Sequence, residues 1–320
     1  MIGAETGELH VYAVPLRRRF RGIDVRQGVL IHGEAGWGEF SPFAEYDDAE
    51  AAAWWRAAEE AAGIGWPPPV RDKIPVNATV PAVPAAEVAA VMAAFPGCGT
   101  AKVKIAEPGQ TAADDQARLE AVRAVLGSAG HIRVDANGGW DLDMAARYLP
   151  LYDRAVGGLE YAEQPCATVE DMAALRRRVD IPIAADESIR RSDDPIRVVR
   201  LGAADVAVLK VQPMGGVRVC LRLAEELGLP VVVSSALETS VGIGAGVALA
   251  AALPELPFAC GLGTAALLSR DVVGDPLVPV DGVLPVRRPE PDPASLAMAR
   301  ADQATAAWWR DRARRAAKLA

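Results

Sequence analysis

From about residue 99 the chain alternates short β-branched runs with alanine- and leucine-rich amphipathic stretches, and successive runs end in a charged residue where a buried strand should end in something bland. The runs are 101–105, 132–135, 159–163, 183–186, 206–211, 231–235 and 258–262. Between them apolar residues recur at helical spacing, as Leu119, Val122 and Leu126 do in 114–126. Thr168 ahead of Asp171, and Asp141, mark helix starts. Regular strand–helix alternation is the signature of βαβ units. No G-x-G-x-x-G opens a helix after the first run, so a closed barrel is favoured over a doubly wound sheet.

The charged ends keep step with the units. Lys102 and Lys104 close the first run, and from Lys104 to Asp135, Glu163, Asp186 and Lys210 the steps are 31, 28, 23 and 24 residues. One β/α unit per step gathers these side chains at the C-terminal rim of the strands, where barrel enzymes carry their active sites. Three carboxylates on adjacent strands, with no histidine or cysteine among them, form a hard-oxygen set suited to Mg²⁺ rather than zinc. Single strand-end acids also serve as helix caps, but three in step with lysines on either side are hard to explain that way.

Lys102 and Lys104 are two apart, so on a strand they point to the same side. An ordinary lysine, with a pKa of about 10.4, is protonated at neutral pH. A like-charged neighbour, burial and a nearby divalent cation all disfavour the ammonium and make one of the two a candidate base. Lys210 faces the same space from across the barrel, although a lysine there can also snorkel to solvent. Such an assembly suits removal of a proton beside a carboxylate, with a cation neutralising the anion that forms.

The 320 residues accommodate one barrel and a modest accessory domain. The expected organisation is an α+β capping domain over 1–95, a modified (β/α) barrel over 96–265, and a segment over 266–320 that packs back on both. A net charge of −8 without a long basic run argues against nucleic acid. Cys98, Cys166, Cys220 and Cys260 form no C-x-x-C pair, so neither disulfides nor zinc are expected, and a reducing cytoplasm fits. Residues 1–10 do not read as a signal peptide, and 241–254 is too short for a membrane span. The expected partner is a small-molecule carboxylate, with no membrane, and nothing in the sequence requires more than a monomer.

The set Lys102-Val103-Lys104, Asp135-Ala136-Asn137-Gly138, Glu163-Gln164-Pro165, Asp186-Glu187-Ser188 and Lys210-Val211-Gln212-Pro213 resembles the enolase superfamily, specifically its muconate-lactonising subgroup. Within that subgroup Ser234 to Thr239 and Gly261-Leu262-Gly263-Thr264 resemble the o-succinylbenzoate synthase family of menaquinone biosynthesis. The resemblance covers nearly the whole chain and implies a (β/α)7β TIM-like barrel with an α+β capping domain, and Mg²⁺, or Mn²⁺ in its place, on Asp135, Glu163 and Asp186. The implied reaction is syn loss of water from 2-succinyl-6-hydroxy-2,4-cyclohexadiene-1-carboxylate through a metal-stabilised enediolate.

By the same resemblance Lys104 removes the proton and returns it to the departing hydroxide. Lys102 holds the Lys104 pKa down, and Lys210 stays protonated over the other face of the ring. Asn137, Gln164 and Glu187 are candidates to orient the ligands. Ser234, Ser235, Leu262, Gly263 and Arg18 are candidate substrate contacts; the serines could equally cap the next helix, and Arg18 could equally sit in a surface loop. N-succinylamino acid racemase or dipeptide epimerase chemistry uses the same metal and lysines and stays open. The absence of an acid from Cys260 to Thr264 speaks against a free-amine substrate.

Overall fold

The computed structural model describes residues 9–320. Most of the N-terminal stretch read as lacking a signal peptide, residues 1–8, lies outside the described residues. Strands β1 (His10–Phe20), β2 (Ile23–Gly33) and β3 (Gly36–Phe40) form an antiparallel sheet. The β1–β2 turn is Arg21-Gly22, both at positive φ (51° and 77°). Helix Asp48–Gly63, capped by Asp47, covers this sheet and buries Trp54 and Trp55.

The sequence from Pro293 onwards forms two helices, Pro293–Ala299 and Gln303–Leu319. They break where the Ala301 amide bonds to the Val11 carbonyl and Asp302 caps the second helix. That helix completes the capping-domain core. Trp309 is 1% exposed, meets Phe40 edge-on at 6.1 Å and donates its indole N–H to Gln27. Trp309→Ala is expected to cost about 3–5 kcal/mol, read as a lowered urea midpoint with the barrel strands unaltered.

After β4 (Lys73–Pro75) come the barrel strands β5 (Ala78–Val80), β6 (Thr100–Lys104), β7 (His131–Asp135), β8 (Tyr161–Glu163), β9 (Ile183–Ala185), β10 (Val206–Leu209) and β11 (Val231–Val233). All seven pair in parallel, in sequence order. Single bridges from Ser234 to Gly261 and from Val76 to Cys260 link the two edges of the sheet through 260–261. The expected (β/α) barrel with its capping domain is the architecture formed. The expected start at residue 96 falls after the first barrel strand, a three-residue run bracketed by prolines that carries too little pattern to stand out. The run 258–262 contributes bridges rather than a ladder.

Helices Ala112–Leu126, Leu142–Val156, Val169–Arg176, Val217–Leu227 and Ser240–Ala252 return the chain between strands. Thr111, Asp141 and Thr168 accept the orphan amides at the first three starts, as capping side chains do. Ser240–Ala252 is buried almost all round, which accounts for its low polarity. Among the described residues no helix is long and apolar enough to cross a membrane. Ahead of the two terminal helices, β12 (Val283–Pro285) runs antiparallel to β4.

Candidate active site

Strand register assembles the site. Lys104 pairs with Asp135 and Asp135 with Glu163, so three charged side chains stand abreast on β6, β7 and β8. Glu163 pairs with Ala184, and Asp186 lies two residues beyond it, on the same side. Lys102 shares the Lys104 side, and Lys210 follows β10 directly. Beneath them Tyr161, Ala184, Val206, Val208 and Val232, with Phe258 against them, fill the barrel interior as an apolar plug. The charged layer therefore lies between this plug and the rim.

The carboxylates and lysines interlock. Lys102 Nζ lies 2.7 and 2.8 Å from the two Glu163 oxygens and 3.1 Å from Asp135 Oδ2. Lys104 Nζ is 2.5 Å from Asp135 Oδ2 and 2.6 Å from Asn137 Oδ1. Lys210 Nζ is 2.6 Å from Asp186 Oδ2, while Arg190 Nε is 2.9 Å from Asp186 Oδ1. Asp135, Glu163 and Asp186 are each at most 1% exposed.

Burial pushes the Glu163 carboxyl up to about 7, and the charge of Asp135 adds to it against the pull of Lys102. Burial also acts on Asp135 and Asp186, but lysines outweigh it at Asp135, and Arg190 with Lys210 at Asp186, so both are held below the usual range. Lys102 is raised, because Glu163 and Asp135 overcome the burial that would lower it. Lys104 is lowered by burial, with Asp135 opposing and Lys102 adding to the fall. Two lysines two residues apart are thus driven in opposite directions.

As the side chains stand, each acid is turned onto a lysine. Among the described residues no three acids, histidines or cysteines converge on one point for a metal. The donor chemistry nevertheless fits a hard divalent cation: three buried carboxylates on neighbouring strands, no nitrogen or sulfur donor, and a central Glu163 whose charge is disfavoured by burial and by Asp135. A cation there competes with the lysines for the same oxygens.

Around this layer Gln164 accepts the Asp186 and Ser188 amides and donates to Ser188 Oγ, fixing the peptide of Asp186. Asn137 accepts from Lys104 and donates to Glu187, which also receives Arg190. Ser234 and Ser235 line a cavity of about 40 Å³ together with Lys102, Lys104 and Lys210, and Ser235 Oγ lies 2.7 Å from Thr264 Oγ1.

The neighbours of the other expected contacts take their places. Gly261 and Thr264 line the cavity, whereas Leu262 is buried towards Gly246 and Gly263 packs against Pro279 and Phe95 as the chain turns into a short 3-10 helix. Arg18 pairs with Glu87 and lines a different hollow; Phe20 and Arg21 of the same hairpin reach the site instead. Sequence reasoning passed over Arg190, four residues after Asp186 on the short helix Glu187–Arg190, although that spacing is a recognisable ion-pair signal.

The capping domain fixes the loop that carries the two serines. Arg26 of β2 donates to the Leu237 carbonyl at 2.9 Å and the Ala236 carbonyl at 3.3 Å, with Leu237 at φ 66°. Glu39 of β3 accepts from Tyr12, Ser41, Thr239 and the Gly242 amide. Burial and the Glu39 charge push Glu238 up to about 7. A carboxyl whose pKa is higher folded than unfolded holds its proton longer in the native state, so stability falls as pH rises from about 4.5 to 7. Glu238→Gln removes that contribution and is expected to flatten the decline in Tm of metal-free protein between pH 5 and 7.5. An unchanged slope would remove Glu238 from the account.

A family model described as enolase C-terminal domain-like matches residues 85–291, and one described as enolase N-terminal domain-like matches 11–62. The chain is similar to the o-succinylbenzoate synthase of Thermobifida fusca (strain YX), 64% identical over 93% of this chain and 92% of that one. It is also similar to the o-succinylbenzoate synthase of Mycolicibacterium smegmatis (strain ATCC 700084 / mc(2)155), 59% identical over 95% and 93%. Among solved structures, the muconate lactonizing enzyme from Pseudomonas fluorescens superposes with a TM-score of 0.77 at 24% identity, covering 92% of this chain and 98% of that one, a likeness of fold.

Proposed function

The chain belongs to the enolase superfamily, whose members use a divalent metal, and from that membership we propose that it is an Mg²⁺-dependent hydro-lyase forming o-succinylbenzoate from 2-succinyl-6-hydroxy-2,4-cyclohexadiene-1-carboxylate. The observation that carries this reading is one small cavity lined by Lys104 and Lys210 beside three buried acids, in a chain 64% identical over most of its length to an enzyme of that name.

Asp135, Glu163 and Asp186 would hold the cation, which when bound supplies positive charge to the substrate carboxylate and so lowers the cost of removing the neighbouring proton. Lys104, whose ammonium is disfavoured by burial and by Lys102, takes the ring proton. The electron pair left behind becomes part of the aromatic ring as the bond from carbon to the hydroxyl breaks. Lys104 then gives its proton to the departing hydroxide, which leaves as water, and base and acid are one side chain on one face. Lys102 stays charged because Glu163 and Asp135 hold it.

Lys210 presents a cation from the strand-end opposite and favours the negative charge that builds up. The Ser234 and Ser235 hydroxyls offer donors to the succinyl carboxylate, with Arg21 on the capping side. Phe20, Phe43 and the barrel plug keep bulk water from the base.

The test is incubation of purified protein and Mg²⁺ with the cyclohexadiene, following aromatic product by ultraviolet absorbance. Turnover abolished by EDTA and restored by Mg²⁺ is expected. Metal-loaded, folded protein that leaves the substrate unchanged sinks the assignment. Activity should rise with pH through a Lys104 pKa below the ordinary lysine value, because only the neutral amine is a base. A limb at or above the ordinary value would remove Lys104 from that role.

A further inference from the structure

The inference here rests on the reading of Lys104 as the base and concerns what aims it. We infer that Asp115 and Arg118, on the outer helix Ala112–Leu126, are positioning residues for Lys104. Both are buried, at 3% and 0% exposure, and neither touches the cavity. Arg118 Nη1 donates to the Lys104 carbonyl at 2.9 Å and to Asp115 Oδ1 at 2.8 Å, while its Nε donates to the Val83 carbonyl at 2.7 Å. Asp115 Oδ2 accepts the Ala106 amide at 2.9 Å. The two peptides flanking Ile105 thus end on opposite members of one ion pair, and the Ile105 amide itself bonds to the Asp135 carbonyl.

That arrangement answers a specific problem. Lys104 is the last paired residue of its ladder with β7, and beyond the Ile105 amide regular strand bonding no longer fixes the chain. Ala106 sits at φ 58°, a left-handed conformation that costs a non-glycine residue about 1–3 kcal/mol unless its surroundings hold it. Asp115 captures the amide that this conformation presents. Arg118 captures the carbonyl on the other side. Without them the Ile105–Ala106 peptide is free to relax, and the Cα–Cβ direction of Lys104 turns with it.

Stability alone is a poor account of the pair, because a buried ion pair is often matched or bettered by apolar residues of similar volume. Proton transfer is steep in geometry, and a displacement of about 1 Å can cost about 10²-fold.

Asp115→Asn and Arg118→Lys keep size or charge while loosening the clamp. Each is compared with wild type and with Leu227→Ala, a core truncation on helix Val217–Leu227 away from the site. The readouts are kcat, KM, Tm and the primary deuterium isotope effect at the abstracted ring proton, with Mg²⁺ saturating. We expect kcat to fall about 10- to 100-fold in both clamp variants with KM changed by less than about 3-fold. The isotope effect should rise, and Leu227→Ala should keep both values at a comparable loss of Tm.

Clamp variants with kcat and isotope effect unchanged overturn the inference, as does a Leu227→Ala that loses kcat in the same proportion. If either variant fails to fold, the Asp115→Asn/Arg118→Gln pair, which replaces the ions by neutral amides, carries the same expectation. Wild-type protein inactive on this substrate removes the underlying reading and the inference with it. Active wild type with unaltered clamp variants removes the inference alone.

Discussion

Alanine at Lys104 is expected to lower kcat for the dehydration by about 10⁴-fold, the upper end of what a positioned acid–base group contributes, with KM little changed. The upper end applies because no neighbouring base can replace it. Lys102 is held charged by Glu163 and Asp135, and Lys210 donates to Asp186 from a different strand. The apolar plug below and Phe20 and Phe43 above limit access for water or hydroxide. The same substitution removes the 2.5 Å contact on Asp135 Oδ2, so one candidate ligand loses the nearer of its two lysine competitors, with Lys102 remaining at 3.1 Å. Mg²⁺ affinity should therefore hold or improve while turnover collapses, and isothermal titration of Lys104→Ala separates loss of the base from loss of the metal. A variant that keeps more than about a tenth of wild-type kcat would move the base elsewhere.

The layer containing Lys104 was legible in the sequence because its members obey two periods at once. They recur once per β/α unit, and each falls on the inward parity of its strand, so Asp135, Glu163 and Asp186 stand out before any coordinates exist. What surrounds them was not legible, for a physical reason. Arg26, Glu39 and Tyr46 belong to the capping domain and meet the barrel through hydrogen bonds between residues 144 to 211 positions apart, Phe43 of the same domain lines the cavity, and local periodicity carries no record of such pairings.

The clearest case is the β1–β2 hairpin. Arg18 and Arg21 are three residues apart in a basic run, and nothing in composition distinguishes them. The turn at Arg21-Gly22 decides: Arg21 lies 4.2 Å over the Phe43 ring and donates to Tyr46, while Arg18 pairs with Glu87 outside the site. The short strand Ala78–Val80 escaped notice because it lies between Pro75 and Pro81 and, unlike the strands of the charged layer, ends in no charged residue.

Glutamine at Glu163 is expected to abolish metal-dependent turnover, a loss of about 10³-fold for several kcal/mol of electrostatic stabilisation removed. Its effect on the metal-free protein should run the other way. Burial and the Asp135 charge raise the Glu163 carboxyl to about 7, so ionising it weakens the native state between about pH 4.5 and 7, and an uncharged amide escapes that cost. At pH 8 without metal, Glu163→Gln should therefore melt no lower than wild type, despite leaving Lys102 with Asp135 alone at 3.1 Å. Saturating Mg²⁺ should raise the wild-type Tm, by about 2.7 kcal/mol of stability at a hundredfold excess over Kd, and leave the variant unmoved. At pH 5 the wild-type gain should shrink, because protons compete with the cation for Glu163. A Glu163→Gln protein whose Tm still rises with Mg²⁺ would show that the cation does not depend on this side chain, and the metal would then have to be sought on Asp135 and Asp186 without it.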